Sequence, residues 1–138
     1  MTRDSHILLV DDDDIDAMTV YRALREIKSE HALDHVTDGE KALAYLQNPA
    51  NPLPELILLD INMPRMNGFE FLKIIKADPK LKMIPVVMLT SSEEESDRNN
   101  SFSQSVAGFM VKPVDYPQFV NVIQLISNYW VCSKSATL

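Results

Sequence analysis

What most limits the folds open to this chain is a series of short, unbroken apolar runs: Ile7 to Val10, Leu56 to Leu59, Val86 to Leu89 and Phe109 to Val111, with a weaker one at Leu33 to Val36. A strand with one wet face alternates apolar and polar residues. A continuous run is what a strand buried on both faces requires, and a parallel sheet imposes that condition. The intervals between the runs carry helical spacing. Ala17, Val20 with Tyr21, Leu24 and Ile27 form one stripe, with Arg22, Arg25, Glu26 and Lys28 on the remaining surface. Ala42, Leu43 and Leu46 form a second stripe, closed by Asn48-Pro49, and Phe69, Leu72, Ile75 and Lys76 a third, closed by Asp78-Pro79. Phe119, Val122 with Ile123, Ile126 and Trp130 form the last. The acidic stretch from Ser91 to Asn100 supplies a further helix, although its serines and asparagines are weak helix formers.

Strands alternating with helices build βαβ units, whose crossovers place helices on both faces of a parallel sheet. At 138 residues the chain has room for one such domain. The economical arrangement is the α/β flavodoxin-like fold, a doubly wound five-stranded parallel sheet in the order 2-1-3-4-5. There the chain reverses direction between strands 1 and 3, and ligands sit beyond the carboxyl ends of the strands at that reversal. An apolar share of 46% is ordinary for a packed domain. The 20 acidic residues against 13 basic ones leave a net charge of −7, which repels phosphate backbones and argues against nucleic-acid binding. No apolar run approaches the ~20 residues of a membrane helix. The start, Met1-Thr2-Arg3-Asp4-Ser5-His6, has no signal-peptide core behind it. Cys132 is the one cysteine, so an intrachain disulfide is excluded and a reducing, cytoplasmic setting is expected.

The reversal point carries the chemistry. Strand 1 runs out into Asp11-Asp12-Asp13-Asp14 and strand 3 into Asp60. In this sheet order Asp11, Asp12 and Asp60 converge in one crevice, where like charges repel unless protons or a cation intervene. An all-oxygen donor set suits a hard divalent ion, and Mg²⁺ commonly takes one or two carboxylates, waters and a substrate phosphate. The pattern therefore predicts a metal site with an open position for a phosphoryl group. Asp13, Asp14 and Asp16 are explained by the first helix, whose N-terminus favours carboxylates. Asp60 has no such explanation, since it follows four apolar residues and precedes Ile61-Asn62-Met63-Pro64, which breaks regular structure. Strand 4 ends in Thr90 and strand 5 in Lys112-Pro113. A hydroxyl and an ammonium at the same sheet edge suit the equatorial oxygens of a phosphoryl group.

In order along the chain, Leu9-Val10-Asp11-Asp12, Leu58-Leu59-Asp60-Ile61-Asn62-Met63-Pro64 with Asn67-Gly68, Met88-Leu89-Thr90 and Lys112-Pro113 resemble the receiver domain of two-component response regulators, the family of single-domain chemotaxis regulators. The likeness covers nearly the whole chain. A narrower likeness, to the small regulators paired with bacterial and cyanobacterial phytochromes, lies in Ala42-Leu43-Ala44-Tyr45-Leu46, in Lys76-Ala77-Asp78-Pro79 with Ile84-Pro85-Val86-Val87, and in Tyr129-Trp130 through Ala136-Thr137-Leu138.

The resemblance implies a receiver over residues 5–132, a tail over 133–138 and no output domain. It implies that Asp60 accepts a phosphoryl group from a phosphohistidine on a sensor histidine kinase. Asp11, Asp12, Asp60 and the backbone carbonyl of Asn62 would hold Mg²⁺, and Thr90 and Lys112 would bond the phosphoryl oxygens. Phe109 would be the switch aromatic, Pro113 would follow a cis peptide bond, and Gly68 would give conformational freedom to the turn into the third helix. Such a protein is a phosphoacceptor in signalling, not an enzyme with a separate substrate, and it assists its own phosphotransfer and dephosphorylation. The aspartate run blurs the metal pair, because a one-residue slip puts Asp13 in place of Asp11. Phe109 lacks a hydroxyl, and Val114 stands where many relatives carry Phe or Leu.

Other readings compete. A phosphohydrolase of the haloacid-dehalogenase type uses an Asp-x-Asp pair after its first strand but leaves Asp60 unexplained. A flavin module needs a phosphate loop where this chain has an anion-repelling aspartate run. A degenerate receiver, acting as a phosphorylation-independent interaction module, keeps the fold without the chemistry. His6, His31 and His35 show no metal-ligand spacing, and the methionines read as core filler. Ile126, Tyr129, Trp130 and Val131 carry more apolar surface than one sheet face needs. That predicts a homodimer through helix 4, strand 5 and helix 5, against the equally simple reading that Trp130 seals the core.

Overall fold

The computed structural model describes residues 6–27, 31–61, 63, 65–90, 106–112 and 115–125. Strand β1 (His6–Val10) leads into helix α1 (Asp14–Glu26), then β2 (Ala32–Val36), α2 (Gly39–Gln47), β3 (Leu56–Asp60) and α3 (Gly68–Ala77). A 3₁₀ turn (Leu81–Met83) precedes β4 (Val86–Thr90), and β5 (Gly108–Val111) follows. Residues 116–125 are helical. All neighbouring strands are parallel, in the order β2-β1-β3-β4-β5. The chain thus doubles back between β1 and β3, as the apolar runs predict. The acidic stretch 91–100 and the Ile126–Val131 surface lie outside the described residues.

Strand parity divides the core into two layers. Ile7, Leu9, Leu56, Leu58, Val87 and Leu89 pack with Val20 and Leu24 of α1 and with Phe119 and Val122. Leu8, Val10, Ile57, Leu59, Val86 and Met88 pack with Leu46 of α2 and with Phe71, Leu72 and Ile75 of α3. Both faces of β1 and β3 are sealed, which is why these strands read as continuous rather than alternating runs. The third helix departs from its expected stripe: Phe71 is fully buried and Phe69 only half-buried. In the sequence Phe69-Glu70-Phe71-Leu72-Lys73-Ile74-Ile75 most positions are apolar, so spacing alone does not fix the inward face.

Caps set where the helices begin. Asp13 accepts from the Ile15 N–H at α1, and Asp38 from the Lys41 N–H at α2. At α3, Asn67 and Glu70 form a reciprocal capping box. Gly68, the first residue of α3, needs a different account from the expected conformational freedom. Among the described residues no glycine has positive φ; Arg65, at 66°, is the residue that does. A Cβ on Gly68 would instead lie 2.4 Å from the Asp60 carbonyl oxygen and 3.0 Å from Ile61 Cα. The glycine is required by close approach, and its N–H donates to the Ile61 carbonyl at 2.9 Å.

Candidate functional site

The registers bring the carboxyl ends of β1, β3, β4 and β5 to one edge. Val10 pairs with Leu59, Asp60 with Leu89, and Thr90 with Val111. Asp11 follows β1 directly and is fully buried; Asp60 closes β3 and is 5% exposed; Asp12 faces solvent. One carboxylate oxygen from each of Asp11, Asp12 and Asp60 lies within 4.8 Å of the others. Like charges at that separation repel by ~3 kcal/mol per pair at an effective dielectric of about 20.

Lys112, the residue after β5, supplies the opposing charge. Its Nζ lies 3.1 Å from Asp11 Oδ2, 3.1 Å from Asp60 Oδ1 and 2.6 Å from Asp16 Oδ2, with the side chain 14% exposed. Burial by itself would lower the lysine pKa. The hydrogen bond to Asp16 and the charges of Asp60 and Asp11 outweigh it, holding the ammonium above the ordinary lysine range.

Asp11 goes the other way. Burial pushes its carboxyl up to about 7, reinforced by the Asp60 charge and opposed by the Asp13 N–H and Lys112. The Asp13 N–H donates to Asp11 Oδ1 at 2.9 Å, whereas Oδ2 is buried with no directed hydrogen bond, only the nearby ammonium. Among the described residues one ammonium faces four carboxylates, and Asp11 Oδ2, buried with only that ammonium 3.1 Å away, keeps a lone pair for a cation. The residues therefore fit a hard divalent cation held by Asp11, Asp12 and Asp60.

Comparison with known proteins matches residues 7–124 to the response regulator receiver domain. The chain belongs to that family. Response regulator Rcp1 of Synechocystis sp. is 37% identical to this receiver over 129 residues, covering 91% of this chain and 88% of Rcp1. A solved structure of the Mn²⁺-bound form of Rcp1 superposes on it with a TM-score of 0.76, covering 91% of this chain and 94% of that one. The structure of the phosphorylated cyanobacterial phytochrome response regulator RcpA is 34% identical, with a TM-score of 0.76, covering 95% of this chain and 96% of that one.

The structure thus brings Asp11, Asp12, Asp60 and Lys112 together. Thr90 ends β4 at the same edge as Asp60. Phe109 lies within β5, half-buried, and packs, as Met63 and Met66 do, against the core layer that α2 and α3 cover. Asn62, Pro113 and Val114 lie outside the described residues. Asp13 caps α1, which favours Asp11 over the one-residue slip. No described helix is long and apolar enough to cross a membrane.

Two residues at the site escape the sequence reading. Asp16, assigned there to capping and charging α1, reaches Lys112 instead. It stands four residues before buried Val20, on the inward side of the helix, and that spacing was the available signal. The His35 imidazole, set aside for lack of metal spacing, donates through Nε2 to the Asp11 carbonyl oxygen at 2.7 Å and so ties the β1–α1 turn to β2. No local pattern announces that contact. Of the other two histidines, His6 bonds Asp34 at 2.9 Å and His31 lies 3.4 Å from Glu55, both structural pairings.

Proposed function

We propose that this receiver takes a phosphoryl group from a sensor histidine kinase onto Asp60 in a Mg²⁺-dependent reaction and signals through the resulting change of charge. The observation that carries the reading is the position of Asp60. Its buried carboxylate ends β3 in a crevice with two further carboxylates, and an ammonium sits 3.1 Å from its Oδ1. An Asp60 oxygen attacks phosphorus, the phosphorus–nitrogen bond to the donor imidazole breaks, and its electron pair leaves with that nitrogen. An acyl phosphate results. Bound Mg²⁺ supplies neutralisation of charge between the carboxylates and the incoming phosphoryl oxygens. Lys112 and the Thr90 hydroxyl serve those oxygens, the lysine as a compact cation and the threonine as a donor. Asn62 would add its backbone carbonyl to the metal set, and Phe109 would respond by packing, having no hydroxyl to exchange.

The new group adds ~1.5–2 negative charges beside Lys112, a local electrostatic event that biases a two-state surface. The likeness to RcpA supports a phytochrome-type kinase as donor. A homodimer through β5 and the flanking helices is the expected assembly, and sedimentation of wild type against Trp130→Ala tests it. The deciding test of the function is incubation with a small acyl phosphate and Mg²⁺, followed by mass mapping of the labile adduct. Label on Asp60, absent without Mg²⁺ and absent in Asp60→Asn, is the expected result. Label persisting in Asp60→Asn moves the acceptor elsewhere, and no label at all in wild type favours the phosphorylation-independent module.

A further inference from the structure

Among the described residues, Asp16 is the one carboxylate at the crevice that neither the metal set nor the helix cap uses. Its side chain is 20% exposed, and its contact with Lys112 Nζ, 2.6 Å, is shorter than the two 3.1 Å contacts from that ammonium to Asp11 Oδ2 and Asp60 Oδ1. Those last two residues belong to the trio that converges on a common point; Asp16 does not. An ammonium and a divalent cation want the same oxygens and repel each other, so any hold Lys112 keeps on Asp11 and Asp60 works against metal. Lysine is a flexible stem ending in a point charge with three donors, and where it settles depends on the carboxylates around it.

We propose that Asp16 is a positioning residue for the metal site: it draws the Lys112 ammonium toward α1 and loosens its hold on the Asp11 and Asp60 oxygens that would take Mg²⁺. The proposal rests on the metal-dependent reading above. Without the Asp16 charge, the ammonium falls back on Asp11 and Asp60, two buried carboxylates with a strong demand for a counter-charge, and becomes an internal competitor for the metal. Asp14 is the natural control. It carries the same charge in the first turn of α1 and is exposed, and the contacts of Lys112 lie with Asp11, Asp16 and Asp60.

Calorimetric titration with MgCl₂ tests this on wild type, Asp16→Asn, Asp14→Asn, Lys112→Met and the double variant Asp16→Asn/Lys112→Met. Loss of a charge-assisted hydrogen bond of this kind should weaken Mg²⁺ binding about tenfold in Asp16→Asn. Asp14→Asn, which removes only a screened surface charge, should stay within about twofold of wild type. In the Lys112→Met background the Asp16→Asn effect should shrink to that of Asp14→Asn, because the competitor is gone. Phosphate uptake from a small acyl phosphate should fall in Asp16→Asn at low Mg²⁺ and recover at saturating Mg²⁺. Equal Mg²⁺ affinities for Asp16→Asn and Asp14→Asn overturn the proposal, as does an undiminished effect without Lys112 or a wild type that binds no Mg²⁺. The Asp16 and Asp14 comparison stands even if the Lys112 variants do not fold. A wild type that binds Mg²⁺ but never takes phosphate overturns the phosphoacceptor reading alone, and the titration still decides the role of Asp16.

Discussion

Burial of Asp11 gives the metal-free protein a pH dependence opposite to that of most folded proteins. A carboxyl ordinarily titrates near ~3.9, and here it is raised to about 7. Between those values the folded state binds more protons than the unfolded one, so stability falls as pH rises through that window. The contribution is fully present below about pH 4, declines from there, and is exhausted above about pH 7. Integrated from about pH 5 to about pH 7.5, the loss is about 2–3 kcal/mol. For a chain of this size that lowers Tm by roughly 6–9 °C. The assay is a series of thermal melts in chelator, repeated with Asp11→Asn, which keeps the shape and removes the titration. The variant should lose this slope and be the more stable of the two at about pH 7.5. Saturating Mg²⁺ should lift wild type at that pH by about 3 kcal/mol at roughly 100-fold over its dissociation constant, and Asp11→Asn by much less. Parallel pH profiles for wild type and Asp11→Asn would refute the assignment of the cost to this carboxyl.

Other outcomes follow from the packing. Gly68→Ala drives a methyl group into the Asp60 carbonyl and should cost about 1–3 kcal/mol in a denaturant titration, with no change in slope. Lys112→Ala leaves buried Asp11 and Asp60 without their counter-charge, so metal-free stability should drop by about 3 kcal/mol, with a larger Mg²⁺-induced rise in Tm than in wild type. Phe71→Ala empties a fully buried site between α3 and the sheet and should cost about 3–5 kcal/mol by the same titration. Asp38→Ala removes the α2 cap and should cost about 1 kcal/mol.

The strands and their order were legible because each apolar run is a complete local record of burial on both faces, and the observed strands differ from the runs by a residue at their ends. Asp11, Asp12, Asp60 and Lys112 were legible once the order was fixed, since the ends of adjacent parallel strands have nowhere to go but one edge. Asp16 was misjudged because an acidic residue near a helix start has a sufficient local explanation, and only the tertiary reach of Lys112 displaces it. His35 carries no trace of its contact with Asp11, because the contact runs from one strand to the turn after another, 24 residues away. The reason for Gly68 was misread for a related cause: a glycine at a turn suggests unusual φ, whereas the constraint here is a neighbour in space.

The seat of α3 against Asp60 has a mechanical implication. Strand β3 is held between β1 and β4, and the first turn of α3 rests on its last carbonyl with no room for even a methyl group. Position 60 is therefore a fixed anvil. Whatever displacement follows a change of charge there must be taken up on the opposite flank, where β5 is the outermost strand and Lys112, the residue after it, reaches the crevice by a long side chain.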